Sequence, residues 1–493
     1  MTLVDHLPAL LIIAPLAGAA ITFVTERSVD RIVAVLTSII ITLFSGMLLY
    51  RVASGGAFRY EIGGWGAPIG IDLVADGPAA LFLLLTAVVG TAVTIYATAY
   101  FPKDCGTSYG HGLFWTLWLF MWTSLNALFL TGDVFNVYVC LELIGISAVA
   151  LVTLKGDADA LRAGARYLFA SMLAAMTYLL GVALLYSSTG QLDMEMLRAT
   201  LTPDSGAATG LALMVAALVL KTALVPAHFW LPTAHASAPT PVSAALSALV
   251  VKASYFAILR LMLSVMPPGF IPGAGTLLGI LGSMAIIWGS LQAMRQTRIK
   301  QWVAYSTVAQ IGYLFIVFPL ADSGADVLAA ALGGVLLHAL SHGLAKTALF
   351  LGAGSLMDRF GHNEIARMTG AARTLPVLTA TVALAGVTMM GLPPSGGFGS
   401  KWQLVSASIG AGQWWWALVL GLGGLLAAAY MFRVLAVLLS DTPTEVRPTH
   451  APVRLEWLPL ALAVAALFFV FAAPFVDSLA GISTIMLHAG VTP

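Results

Sequence analysis

Apolar residues fill the chain in long blocks, and polar residues collect in short gaps between them. A helix rises about 1.5 Å per residue, so about 20 apolar residues cross the hydrocarbon of a bilayer. The pattern predicts spans over Leu7–Val24, Ile32–Leu49, Pro78–Tyr100, Gly112–Leu130, Val134–Leu154, Tyr167–Tyr186 and Gly210–Leu231. It continues with Val242–Val265, Gly275–Ala293, Trp302–Leu320, Val327–Met357, Leu375–Met390, Gly412–Leu439 and Leu458–Val476, which makes 14. Ser395–Ile409 is a half-length piece attached to the twelfth. The expected fold class is an all-α polytopic membrane protein.

Composition agrees. Of 493 residues, 59% are hydrophobic and only 9% charged, where a soluble domain carries about 25%. Mean hydropathy is +0.94. A net charge of +1 gives no case for nucleic acid or acidic partners. Cys105 and Cys140 lack metal-ligand or CxxC spacing. The opening MTLVDHLPALLIIAPLAG has no basic leader and no small-residue cleavage site, so it is expected to remain as the first helix.

Lysine and arginine fix an orientation. One set of alternate loops holds Arg27, Arg31, Lys103, Lys155, Arg162, Arg166, Arg295, Arg298, Lys300, Arg359, Arg367, Arg373, Arg447 and Arg454. The other holds only Arg51, Arg59 and Arg198. The positive-inside rule puts the rich set in the cytoplasm and both termini outside.

Six basic residues remain in or beside spans: Lys221, Lys252, Arg260, Lys346, Lys401 and Arg433. Arg260 and Arg433 sit near helix ends, where they can snorkel. The other four lie deep, with Glu142 in NVYVCLELIGISA as the one deep acid. A charge at the bilayer centre costs at least about 2.5–3.5 kcal/mol. Four lysines against one acid do not balance as structural ion pairs. Desolvation weakens a lysine's hold on its proton and a nearby acid restores it. An amine balanced in this way takes up and releases a proton when its partner moves, which is the basis of a charge relay.

Two of these lysines stand at helix breakers. Lys221 opens KTALVPAHFWLPTAHASAPTPVSAALSALVVKAS, where Pro226 and Pro232 interrupt the seventh span. His228 and His235 are placed beyond the break, towards its outer mouth, with a loop as the alternative place for His235. Ser243 and Ser247 precede Lys252 and could hold waters between lysines. The second breaker is GVTMMGLPPSGGFGSKWQL, where Pro393 and Pro394 stop the twelfth span and Lys401 follows in a restarted half-helix. Broken spans line cavities and ion sites. The breaks lie five helices apart, which suggests two inverted five-helix repeats. The expected organisation is helices 1–3 over 1–110, helices 4–8 over 111–265, helices 9–13 over 266–440, and helix 14 over 441–493.

In LHALSHGLAKTALF, His338, His342 and Lys346 recur every four residues, hence on one face of the eleventh span. Each step is about 6 Å along the axis, which one or two waters can bridge, and histidine titrates near neutrality. Two histidines at this spacing could also bind zinc, but no HExxH follows and the next deep group is a lysine. Asp133 is expected to cap the fifth span, with Asn136 in its first turn. Tyr305, Ser306 and Gln310 give the tenth span a polar stripe. Asp72 and Asp76 read as loop and helix-start residues. Walker, dinucleotide-binding, haem and iron–sulfur spacings are absent from the sequence.

These residues closely resemble the antiporter-like membrane subunit family over nearly the whole chain. Its members include the D-type subunits of Mrp-type multisubunit Na⁺/H⁺ antiporters, the three large pumping subunits of respiratory complex I, and membrane subunits of energy-converting hydrogenases. GDVFNVYVCLELIGISA resembles the fifth helix, which implies the family's essential glutamate at Glu142. KTALVPAHFWLPTAHASAPTPVSAALSALVVKA resembles helices seven and eight, with Lys221 as the glutamate-paired lysine and Lys252 as the connecting one. WVAYSTVAQIGYL resembles the tenth helix. The resemblance puts His338, His342 and Lys346 on the central axis of helix eleven, and Lys401 at the terminal position of helix twelve, where some members carry glutamate. It also implies 14 helices with two inverted repeats.

Length, motif order and the lack of a long lateral helix make the sequence most similar to the D-type subunits. LSHGLAKTALFLGAGSL is also similar to hydrogenase-linked and carbon-uptake relatives. The expected function is proton translocation within a multisubunit Na⁺/H⁺ antiporter. Its setting would be the plasma membrane of a bacterium or archaeon, with other membrane subunits as partners, protons and Na⁺ as transported ions, and lipids around it. No cofactor, no metal and no redox catalysis are expected in this chain. The alternatives are a pump subunit driven by electron transfer in a complex I-like or hydrogenase partner, a non-transporting scaffold, and a lipid-acting membrane enzyme. The last lacks any nucleophile or metal constellation.

Overall fold

A computed structural model describes residues 3–25, 27–101, 109–202, 205–440 and 456–483. Lys103, Cys105, Arg447 and Arg454 lie outside the described residues, as does the side chain of Arg27.

The hydrophobic blocks become helices. In chain order these are α1 (Leu7–Val24), α2 (Arg27–Gly55), α3 (Gly77–Tyr100), α4 (Tyr109–Leu130), α5 (Val134–Val152), α6 (Ala158–Thr189), α7 (Met194–Thr200), α8 (Ser205–Thr222) and α9 (Leu231–Ser237). Then follow α10 (Thr240–Val265), α11 (Ile271–Arg295), α12 (Ile299–Leu320), α13 (Ala325–Phe360), α14 (Pro376–Met390), α15 (Gly396–Gly410), α16 (Trp414–Leu439) and α17 (Trp457–Gly481). Among the described residues, 12 helices are long and apolar enough to cross a membrane. The chain is thus an all-α polytopic membrane protein. The apolar helices α8 and α14 are shorter.

Capping side chains start several of these helices. Asp76, Asp133, Asp157, Asp193 and Ser395 accept from backbone N–H groups one turn into α3, α5, α6, α7 and α15, which meets donors a helix start leaves free. Asp133 therefore caps its helix as the sequence suggested.

The hydropathy pattern does not predict a short antiparallel hairpin, β1 (Phe58–Glu61) with β2 (Asp72–Ala75), in register Phe58↔Ala75 to Glu61↔Asp72. Asp72 thus belongs to a strand, not a loop.

The helices sort by burial. The most apolar stretch of α10 is wholly enclosed, and those of α12 and α13 nearly so. By contrast α1, α2, α16 and α17 leave most of theirs outside the buried interior, as helices facing lipid or a partner do. α13 contacts α3, α10, α12, α14, α15 and α17. The helices that carry Lys252, His338, His342 and Lys346 therefore lie at the centre of the bundle.

Candidate functional site

Lys221 is the penultimate residue of α8. Its amine lies 3.4 Å from Glu142 Oε1 on α5, and donates to Ser171 Oγ of α6 at 3.0 Å and Leu141 O at 3.1 Å. A Cβ on Gly145 would come 2.4 Å from Ser171 Oγ, so the missing side chain leaves room for this cluster. The chain leaves α8 through Ala223, which takes a left-handed φ of 57°. Beyond the turn, Trp230 stacks on Tyr167 at 4.2 Å and its indole donates to Leu220 O at 3.0 Å. Leu220 O thus takes a second donor, since it also accepts from Ala223 N at 3.2 Å.

Lys252 is fully buried in α10, between two π-helical turns, Leu246–Val250 and Leu261–Val265. Its amine donates to Ser247 O at 3.2 Å and Ala248 O at 3.0 Å, both in the first π turn. π turns of this kind are frequent at functional sites. Ser243 Oγ is committed to His235 O at 3.0 Å, and Ser247 Oγ to Thr307 Oγ1 at 2.8 Å.

On α13 the rings of His338 and His342 stack 5.6 Å apart, inclined by 7°. His338 bridges Gln310 O and Ser400 Oγ, each at 3.2 Å. His342 is buried with no protein partner for either nitrogen, an arrangement that costs about 1–3 kcal/mol per unmet group unless water serves it. Lys346 donates to Val303 O at 2.9 Å and to Ser306 Oγ.

Lys401 reaches back from α15 to the end of α14. Its amine donates to Met389 O at 2.9 Å and Met390 O at 3.2 Å, and lies 4.4 Å from the centre of the Tyr313 ring. It thus supplies a cation and donors at a helix C-terminus, where carbonyls lack partners. Gly397 makes the approach possible, since a Cβ there would fall 1.9 Å from Thr388 O.

Five of the seven residues singled out in the sequence form one cluster. His342 lies within Coulombic range of Lys252, Lys346, His338 and Lys401. Glu142 and Lys221 form a separate station, whose hydrogen bonds run to α5 and α6. Among the described residues no three His, Cys, Asp or Glu side chains converge as metal ligands.

Several charged residues fall elsewhere than expected. Arg260 does not snorkel: it is buried against Asp76, with one bond at 2.7 Å and a second between Nη2 and Oδ1. Nearby, Arg59 pairs with Asp72 at 3.0 Å and also with Asp193 and Glu195. Burial works against the Arg59 charge, but Asp193, Asp72 and Glu195 outweigh it and hold its pKa above the ordinary arginine value. Arg359, counted as a loop residue, is buried against Glu456 at 2.7 Å. Lys300, also counted with the loops, is buried in the first turn of α12. His235 lies not at an outer mouth but buried within range of Lys300 and Lys346. His228 is half-buried, with its ring edge-on to Tyr305.

A many-helix membrane protein with a line of lysines and histidines through its centre defines a narrow class. Residues 131–427 match the family described as NADH:quinone oxidoreductase/Mrp antiporter, transmembrane, and the chain belongs to this family. It is similar to the N-type subunit of the NADH-quinone oxidoreductase of Desulforudis audaxviator, with 38% identity over 87% of this chain and 86% of the relative. It is 29% identical to the D-type subunit of the Na⁺/H⁺ antiporter of Alkalihalophilus pseudofirmus, over 79% of this chain and 77% of that one. Its fold matches a chain in the Mrp complex from Dietzia sp. DQ12-45-1b with a TM-score of 0.88 and 22% identity, over 99% of this chain and 100% of that chain.

Proposed function

We propose that this chain is the proton-translocating membrane subunit of a multisubunit monovalent cation/proton antiporter. The observation that carries the reading is the central cluster of Lys252, His338, His342, Lys346 and Lys401, beside the Glu142–Lys221 pair. It holds more basic groups than ion pairing can use. Its amines rest on carbonyls and hydroxyls, ligands that suit both the ammonium and the neutral amine.

In this reading α8 with α9, and α14 with α15, are interrupted seventh and twelfth spans, giving 14 in all. Residues 111–265 and 266–440 are two inverted five-helix units, after helices 1–3 in 1–110 and before helix 14 in 441–493. Both termini face outward. A change in the Glu142–Lys221 separation alters the charge on Lys221 and shifts protons through Lys252 to His338, His342, Lys346 and Lys401. Inward proton flow drives Na⁺ outward in a complex with other membrane subunits. The similarity to a protein named as a D-type antiporter subunit, and the fold match to a chain of the Mrp complex, support this assignment.

The test is Na⁺-dependent collapse of a pH gradient in vesicles holding the whole complex. Glu142→Gln and Lys221→Met each lower exchange by about 100-fold or more, the scale of a lost proton carrier, at unchanged expression. Wild-type exchange in both variants overturns the reading.

One observation favours a second reading. The relative at 38% identity is named as a subunit of an NADH-quinone oxidoreductase. There the same row would pump protons with energy from electron transfer in other subunits. Mass spectrometry of the gently purified complex separates the two: small hydrophobic companions support the antiporter, flavin and iron–sulfur proteins the pump. A scaffold role predicts instead that Lys252, Lys346 and Lys401 can all become methionine without loss.

A further inference from the structure

The stripe of His338, His342 and Lys346 continues along α13 at the same spacing as Phe350, Gly354 and Asp358. The first two of these carry no ionisable group, but neighbouring elements bring one to that stretch. His235 of α9 stacks on Phe350 with ring centroids 4.7 Å apart, one turn from Lys346. It is 1% exposed, its Nδ1 has no protein partner, and both Lys346 and Lys300 lie within Coulombic range of it.

At Gly354 the chain entering α10 comes close, since a Cβ there would fall 2.1 Å from Thr240 Cγ2. Just before Thr240, Ala238 ends α9 and accepts at 2.8 Å from the amine of Lys300, which is 3% exposed. Lys300 is in turn within range of Asp358, an exposed carboxylate near the C-terminal end of α13. From surface to centre the order is Asp358, Lys300, His235, Lys346.

We propose that Asp358, Lys300 and His235 form a proton port that joins Lys346, in the middle of the row, to the arginine-rich face. The proposal rests on the proton-translocation reading above and gives the row a side opening besides its Lys221 end. Outward from the centre, the Lys346 ammonium passes one proton to His235 Nδ1, leaving a neutral amine and an imidazolium. The imidazolium returns to neutral by passing one proton to the Lys300 amine. That ammonium hands it to the Asp358 carboxylate, which releases it to water. Only N–H and O–H bonds change, and the reverse order carries a proton inward. A structural role explains the set poorly. Packing Lys300, His235 and Lys346 together gathers groups of like charge in an apolar core, where neutral side chains of the same shape would pack at lower cost.

The experiment uses the complete complex in everted vesicles, with Na⁺-dependent collapse of the pH gradient as readout and Glu142→Gln as reference. His235→Phe keeps the ring contact with Phe350 and removes both nitrogens. Lys300→Met keeps most of the stem and removes the amine. Each lowers exchange by about 100-fold, with complex abundance unchanged. Asp358→Asn, on the surface, gives a smaller loss that Asp358→Glu restores, a pattern packing alone would not produce. If Glu142→Gln abolishes exchange while His235→Phe, Lys300→Met and Asp358→Asn all keep the wild-type rate, the port is overturned and the row stands. If Glu142→Gln also keeps the wild-type rate, the translocation reading itself falls. Should His235→Phe or Lys300→Met fail to assemble, the Asp358 pair decides: equal rates in Asn and Glu overturn the port.

Discussion

Two regions of this bundle bury charge in opposite ways. Beside the hairpin, each cation meets carboxylates: Arg260 is bonded twice to Asp76, and Arg59 pairs with Asp72, Asp193 and Glu195. In the centre, Lys252, Lys346 and Lys401 bond only to carbonyls, with one hydroxyl at Lys346. The first region fixes α3, α7 and α10 to the hairpin, with charges that must persist for the fold to persist. The second holds sites whose charge can come and go without breaking an ion pair. Glu142–Lys221 stands between the two kinds, since its amine has a carboxylate at 3.4 Å as well as neutral partners. Burial alone therefore does not distinguish the two regions; the nature of the partners does.

The comparison breaks first at Asp76. Asp76→Leu leaves the Arg260 guanidinium buried without its carboxylate, a change that costs about 3–5 kcal/mol. The complex should largely vanish from the membrane, as read by native gel. Adding Arg260→Met should recover much of it, because an apolar pair replaces an ion pair at little cost. Normal abundance of the single variant would erase the distinction between the two regions.

Lys401→Met should do the reverse. It removes donors from the end of α14 at about 1 kcal/mol, so the complex stays abundant, while exchange falls about 100-fold. A collapse in abundance matching that of Asp76→Leu would make Lys401 a structural charge after all. The smallest effect belongs to the exposed Arg162–Asp159 pair. Arg162→Ala should leave abundance and exchange at wild-type levels, since surface pairs of this kind contribute little.

Hydropathy made the helices legible, because a bilayer demands long apolar blocks and leaves few alternatives. The candidate residues were legible for the same reason: Glu142, Lys252 and Lys346 stand in largely apolar stretches. What stayed hidden depended on contacts distant in sequence. Arg260 and Asp76 are 184 positions apart, so nothing local distinguishes a paired arginine from one that snorkels. Lys300 follows Arg295 and Arg298 and reads as one more loop cation, yet the helix starting at Ile299 carries it inward. His235 lies among prolines and small residues, and only the fold brings it against Phe350. The hairpin escaped notice because its strands are four residues each, too short for alternation to emerge from the surrounding sequence.

The π turn ahead of Lys252 has a kinetic consequence. Two backbone dipoles of the same helix already point at the amine, so they need not be recruited when charge arrives nor dismissed when it departs. Reorganisation energy at that station is correspondingly small. In the proposed relay a proton would then pass through Lys252 quickly in either direction, and slower neighbours would set the timing of each cycle.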